Sequence, residues 1–303
     1  MSKDQHAPPP SQWTAAAYSS AAAFVPQLTT KILQLISPQP TDRILDVGCG
    51  DGKFTARYLG GVTEVLGVDA SASFIDTANA EYGAGSSWAR ALAAEQSDAK
   101  GKGNFRGKVV DCRFLERDAE VAAGGFDKVV SNAALHWILR DEATRKNTLR
   151  GCFEALKPDG VFVFEMGGAG NVAEMHTAFV SALVHHTTCG VREAQEVSPW
   201  FFPDVQEMRA LLEGVGFEVS EGGLELEYRP TKMESSEDGK PNVEGWVRLM
   251  GRQFLDRAME EGKEEEVVRE VCEVVGMRGI CGRADGRGEM GYVRLRGLAR
   301  KRG

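Results

Sequence analysis

Ile44-Leu-Asp-Val-Gly-Cys-Gly-Asp-Gly-Lys-Phe-Thr55 decides how this chain of 303 residues is read. An apolar run enters a turn crowded with glycine and leaves it with helical spacing. Gly48, Gly50 and Gly52 let the backbone bend tightly and approach a ligand that a Cβ would obstruct. Arg43–Val47 therefore reads as a strand and Gly52–Leu59 as a helix, whose first N–H groups and partial positive charge face the turn. Upstream, Phe24, Val25, Leu28, Ile32, Leu33 and Ile36 give helical periodicity across Thr14–Ile36, divided by Pro26. Residues 1–12 are polar and proline-rich, which predicts a disordered tail.

Downstream, strands and helices alternate, the pattern of a parallel sheet covered on both faces. Strands are expected at Glu64–Val68, Lys108–Phe114, Phe126–Ser131 and Gly160–Glu165. Helices are expected at Ser73–Glu81 and Asp141–Ala155. Tyr82–Gly107 and Pro230–Asn242 read as exposed loops. Asn171–His186 is an amphipathic helix, and Asp204 with Glu207 forms a capping box for the next one. Phe217–Tyr228 and Tyr292–Ala299 read as strands, and Glu244–Glu260 and Glu264–Val275 as helices.

The glycine spacing, Gly-x-Gly-x-Gly, differs from the Gly-x-Gly-x-x-Gly of dinucleotide enzymes. Asp46 at the strand's end would repel a pyrophosphate but suits a cationic amino-acid moiety such as that of S-adenosylmethionine (SAM). Asp69, about 20 residues past the glycines, can accept both ribose hydroxyl protons. Asp118 would meet the adenine amino group. Asn132, His136 and Trp137 follow the fourth strand, where an acceptor would meet the methyl group. His136 is either a general base for a hydroxyl or amine, or a hydrogen-bond donor to a carboxylate, or a packing residue.

The set Ile44–Gly52, Val65–Ser71, Asp118-Ala119, Phe126–Trp137 and Leu156–Glu165 resembles the ordered motifs of class I SAM-dependent methyltransferases, from Arg43 to Gly168. The resemblance implies an α/β, Rossmann-like, seven-stranded, mostly parallel sheet with helices on both faces. Its last strand is antiparallel and inserted beside the sixth. It also implies SAM contacts from Asp46, the turn Gly48, Cys49, Gly50, Asp51 and Gly52, the pairs Asp69-Ala70 and Asp118-Ala119, and Asn132-Ala133. Tyr18 becomes a lid candidate over the ligand. Trp13–Tyr18, Asn132–Trp137 and the basic stretch Arg294–Lys301 are similar to the trans-aconitate methyltransferase group, in which a Gln often stands where His136 is. The implied organisation is a tail (1–12), a SAM-binding core with N-terminal helices (13–170), and helical cap segments with the last two strands (171–303).

Composition bounds the rest. Hydrophobic residues make up 42% and charged residues 26%, ordinary for a globular protein, and the net charge of -8 argues against nucleic-acid partners. The basic C-terminal cluster from Arg294 onward reads as a solvated strand end. Six cysteines without Cys-x-x-Cys spacing predict free thiols and no metal, and His185-His186 read as surface residues. No apolar stretch approaches the ~20 residues of a membrane span. A cytoplasmic monomer or homodimer acting on a small molecule is the expectation, with O-methylation of a carboxylic acid first. The alternatives are a hydroxyl or amine methyltransferase with His136 as base, a non-catalytic SAM-binding partner and, more distantly, an NAD-dependent oxidoreductase.

Overall fold

Seven strands form one sheet in the computed structural model, which describes residues 29–95, 103–233, 242–277 and 288–303. They are β1 (Arg43–Val47), β2 (Glu64–Asp69), β3 (Asn104–Val109), β4 (Phe126–Asn132), β5 (Leu156–Gly167), β6 (Leu224–Lys232) and β7 (Glu289–Arg300). The order across the sheet is β3-β2-β1-β4-β5-β7-β6. The first five pair in parallel, and β7 runs antiparallel between β5 and β6. This is the seven-stranded, mostly parallel Rossmann-like sheet that the motifs imply. The tail, Trp13, Tyr18 and Cys281 lie outside the described residues.

The apolar content of the central strands explains their place. Ile44, Leu45 and Val47 of β1 are fully buried, as are Val129 and Val130 of β4 and Phe162, Val163 and Phe164 of β5. Alternate residues serve two layers. Leu45, Val47, Phe162 and Phe164 pack in one core with Leu149, Cys152, Met208 and Leu212 from helices Glu142–Ala155 and Val205–Glu213. Ile44, Val130 and Val163 pack on the opposite face with Ile32 and Ile36 of helix Thr30–Ile36 and with Tyr58 and Leu59. A third cluster is a helical cap, in which Phe179 stacks on Phe254 at 4.8 Å and Trp246 Nε1 donates to Tyr292 OH at 3.0 Å. The cap helices are Ala173–His186, Val191–Glu196, Val243–Met250, Arg252–Met259 and Glu264–Gly276. Helix Val205–Glu213, read with the cap from sequence, belongs instead to the sheet core. Asp204 caps it by accepting the Glu207 N–H at 2.8 Å.

Several boundaries move, each for a physical reason. The third strand is Asn104–Val109 and not Lys108–Phe114, because β3 is an edge strand with Phe105 alone fully inward. The apolar residues Cys112, Phe114 and Leu115 sit in a 3₁₀ turn that crosses to the core. The helix after the glycine turn starts only at Ala56, since Gly52 holds φ at +79° and residues 51–55 form turns. Within the Tyr82–Gly107 stretch a helix forms at Ser87–Glu95, with Trp88 set edge-on against Tyr82. The sixth strand begins at Leu224, not Phe217; Phe217 and Val219 are buried in a loop tied to β7 by one bridge, Glu218 to Arg300. The segment Glu244–Glu260 breaks at Gly251, where a Cβ would lie 1.9 Å from the Phe179 ring.

The basic end is the largest correction. Arg294 and Arg296 are 4% and 2% exposed, because β7 lies inside the sheet and not at its rim. In register across three strands stand Glu165, Arg296 and Glu225. The Arg296 guanidinium donates to Glu165 Oε2 at 2.7 and 2.9 Å, to Glu227 at 3.0 Å and to Glu225. Arg229 reaches the other Glu165 oxygen at 3.2 Å, and Lys31 binds Glu227 at 2.8 Å. Buried charge is tolerable only when paired in this way.

Candidate active site

The carboxyl ends of β1, β2 and β4 meet at the glycine turn, where ligands bind in open α/β sheets. Gly48 and Cys49 N–H donate to Val68 O at 2.8 and 3.1 Å, which folds the turn back over β2. Gly48 and Gly52 have φ of +73° and +79°; a Cβ would sit 2.3 Å from Ala134 Cβ at the first and 2.8 Å from the Tyr82 ring at the second. Gly50 differs. Its φ is +55°, and a Cβ there would meet nothing within 4 Å, so this side of the turn is open to a ligand.

Asp69 stands at the lip of that opening. Its carboxylate accepts Gly50 N–H at 3.1 Å and Ser71 N–H at 2.8 Å, so it is fixed against the turn. Burial raises its pKa. Ala70 beside it is partly exposed, as are Gly50 and Asp51, and Asp51 pairs with Lys53 at 2.6 Å. Asp46 is deeper: its carboxylate accepts Thr55 Oγ1 and Tyr58 OH, each at 2.6 Å. Burial pushes its pKa up to about 6, against the lowering effect of those two bonds and with help from the Asp69 charge. Cys49 is a small filler, its thiol raised well above the usual range by burial, and an added Gly67 Cβ would touch its sulfur.

Asp118 and Ala119 are less well placed than the sequence suggested. With β3 ending at Val109, the acid at that strand's tip is Asp111, and Asp118 lies a 3₁₀ turn beyond it. The Asp118 carboxylate caps Ala119–Ala122 through Glu120 and Val121 N–H and pairs with Lys108 at 2.5 Å. Asp111 is held in a fork by Arg113, at 2.7 to 3.2 Å, which outweighs burial and lowers its pKa.

β4 leads into the residues read from sequence as the acceptor side. Asn132 ends the strand in register with Glu165, and Ala133 turns the chain with φ of +56°, held by its N–H to Glu165 O at 2.8 Å. A non-glycine residue in that region is strained, a cost concentrated at functional sites. The turn aims the short helix Leu135–Ile138, with His136 and Trp137, back over β5. His136 is buried, and its Nδ1 accepts Gly167 N–H at 3.3 Å. Burial, then the nearby Arg294 charge, lowers its pKa to about 3. The ring is therefore neutral with its proton on Nε2, which has no hydrogen-bond partner among the described residues. Trp137 and Phe202 flank it at 5.4 and 5.8 Å, and Trp200 lies 5.8 Å from Trp137 and stacks on Phe202.

Phe202, Trp200 and Arg294 were not among the site residues read from sequence. The aromatic density of Pro199–Pro203 was the available signal for the first two; Phe201 N–H donates to His136 O at 2.9 Å and pins that segment here. Arg294 is in register with Gly167 on the neighbouring strand, a relation no linear pattern displays.

The cradle fits SAM. It offers an open glycine edge, a fixed acceptor in Asp69 and buried acid in Asp46, and among the described residues of the turn the one cation, Lys53, is already paired with Asp51. Residues 45–162 match the family model described as methyltransferase domain. Similarity to solved structures is a matter of fold: the YcgJ protein from Bacillus subtilis aligns with a TM-score of 0.54 at 15% identity, covering 90% of this chain and 97% of that one. The [4+2]-cyclase SpnF aligns at 0.50 and 16% identity, covering 91% and 81%, so the fold by itself does not dictate methyl transfer. A trans-aconitate 2-methyltransferase of Deinococcus radiodurans is 27% identical over 134 residues, 44% of this chain and 40% of its own length. An uncharacterized methyltransferase of Schizosaccharomyces pombe is 31% identical over 295 residues, covering 97% of this chain and 99% of its own. Likeness of that extent, on a site that fits the methyl donor, makes this chain a member of the SAM-dependent methyltransferases.

Proposed function

We propose that this methyltransferase esterifies a carboxylate of a small organic acid, with His136 as hydrogen-bond donor to the acceptor. The observation that carries the reading is the Gly167 N–H donated to His136 Nδ1. It occupies the nitrogen that would have to take a proton and leaves Nε2–H as the ring's donor for an acceptor. A ring with a pKa of about 3 is a poor base for a phenol or ammonium at neutral pH. A carboxylate needs none, because it is already ionised. SAM supplies a methyl group activated on a sulfonium, and the chain's residues align the two reactants and exclude water. The glycine turn and Asp46 hold the amino-acid end, Asp69 the ribose, and the tip of β3 near Asp111 the adenine. Trp137, Trp200 and Phe202 form an apolar wall, and the buried Arg294 supplies positive potential behind His136. Tyr18 remains a lid candidate in this proposal. The relative named as a trans-aconitate methyltransferase supports the acid as acceptor class.

Incubation with labelled SAM and a panel of acids, phenols and amines tests the reading, combined with two variants. His136→Gln keeps an N–H donor and is expected to retain activity on an acid within about tenfold. His136→Ala loses a bond to a charged group and is expected to fall about 10- to 100-fold. Equal, complete loss in both variants, with phenols or amines as the labelled products, would establish a base instead.

A pH dependence follows from Asp46. The cationic ligand favours its carboxylate, so below about pH 6 binding must first expel a proton. SAM affinity is expected to fall about tenfold from pH 8 to pH 5, with Asp69, also raised by burial, acting in the same direction. Asp46→Asn should flatten the profile in calorimetry. Without ligand the sign reverses: a raised folded pKa means that the folded state holds the proton more tightly, so this group's contribution to stability declines as pH rises from about 4 to 6.

A further inference from the structure

The helical cap carries a cluster that methyl transfer does not use. His185 and His186 end helix Ala173–His186, and Glu270 lies in the middle of helix Glu264–Gly276, which packs against it. His185 Nδ1 is 2.7 Å and His186 Nε2 is 2.8 Å from the same oxygen, Glu270 Oε2. All three ligand atoms lie within 4.8 Å of one another, and the two rings stack at 4.5 Å. Adjacent helical residues normally diverge by about 100°. Here the helix stops at His186, Thr187 is extended, and one ring uses its near nitrogen while the other uses its far one. That combination lets neighbours converge.

We propose that His185, His186 and Glu270 bind one zinc ion, or a similar imidazole-preferring divalent cation, that cross-links the two cap helices. Two neutral imidazoles and one carboxylate are the mixed nitrogen and oxygen set that zinc accepts, and they leave a fourth position for water. Hard cations such as magnesium prefer all-oxygen sites and are not suited. A tetrahedral ion with bonds of ~2.0–2.1 Å sets its donors ~3.3–3.4 Å apart, so each nitrogen–oxygen spacing must widen by ~0.6 Å and the two nitrogens, within 4.8 Å of each other, must settle at the same separation. Small side-chain rotations provide that. His185 is largely exposed, so an ion has access. In the metal-free protein the carboxylate instead faces the imidazole nitrogens directly, and on metal binding each ring carries its proton on the nitrogen turned away from the ion.

The test is calorimetric titration of zinc into the full chain after treatment with a chelator, in parallel with His186→Ala and Glu270→Gln. One zinc per chain is expected for the unaltered protein, with affinity at least ~10-fold weaker in each variant. Zinc should also raise the unfolding midpoint of the unaltered protein and not of the variants, while magnesium does neither. Both residues lie at the surface of the cap, and unchanged SAM binding checks that the variants fold. Absence of zinc binding overturns the proposal. So does binding that is equally tight in all three proteins, which would assign the ion to the cysteine thiols or another site.

Discussion

Asp69→Ala is expected to weaken SAM binding about 100-fold while leaving the chain folded. Each hydrogen bond to an ionised group contributes ~1.5–3 kcal/mol, and two ribose hydroxyls at the low end already amount to about that factor. The same carboxylate also fixes the open edge of the turn through Gly50 N–H and the start of helix Ala72–Tyr82 through Ser71 N–H. Asp69→Asn keeps the volume but turns one acceptor into a donor, so its loss should be smaller, about tenfold. Titration calorimetry with SAM reads both. Alanine binding within threefold of the unaltered protein would remove Asp69 from the ribose contact.

The largest effect on stability is expected at Arg296. Truncation to alanine leaves Glu165, one-twentieth exposed, without its closest cation. Breaking a buried pair from one side costs about 3–5 kcal/mol, and the remaining contact to Arg229 at 3.2 Å places this case near the lower end. For a chain of this length the thermal midpoint should fall by roughly 5 °C. Glu165→Gln combined with Arg296→Met removes both charges and should recover part of the loss, whereas independent effects would add. A single-variant fall below about 1 °C would show that the network contributes little.

The two predictions come from opposite ends of what the linear chain discloses. The glycine turn, β1, β2 and β4 are legible because their chemistry is local: glycine at positive φ, apolar runs buried on both faces, an acid at the tips of β1 and β2. β3 and β6 are edge strands with few buried residues, so their true spans are outcompeted in the pattern by neighbouring apolar loops such as Val110–Leu115 and Phe217–Val219. The acid at the tip of β3, Asp111, was overlooked with the strand's end for the same reason. Arg296 read as solvated because its partners stand some 70 and 130 positions away. Alternation of Glu225 with Glu227 and of Arg294 with Arg296 was the trace available, and it acquires meaning only once β7 is known to lie between β5 and β6. His136 shows the same limit. Its position was clear from sequence, but the tautomer that separates donor from base depends on Gly167 of another strand.

The position of β7 also has a consequence for biosynthesis. The strand that fills the gap between β5 and β6 is the last of the seven to leave the ribosome, after residues 168–288 have been translated. At ~5–20 residues per second that interval is on the order of ten seconds. Throughout it the Val161–Met166 edge of β5 has backbone groups open to other chains. The nascent polypeptide must therefore wait, half-assembled and sticky, for its keystone.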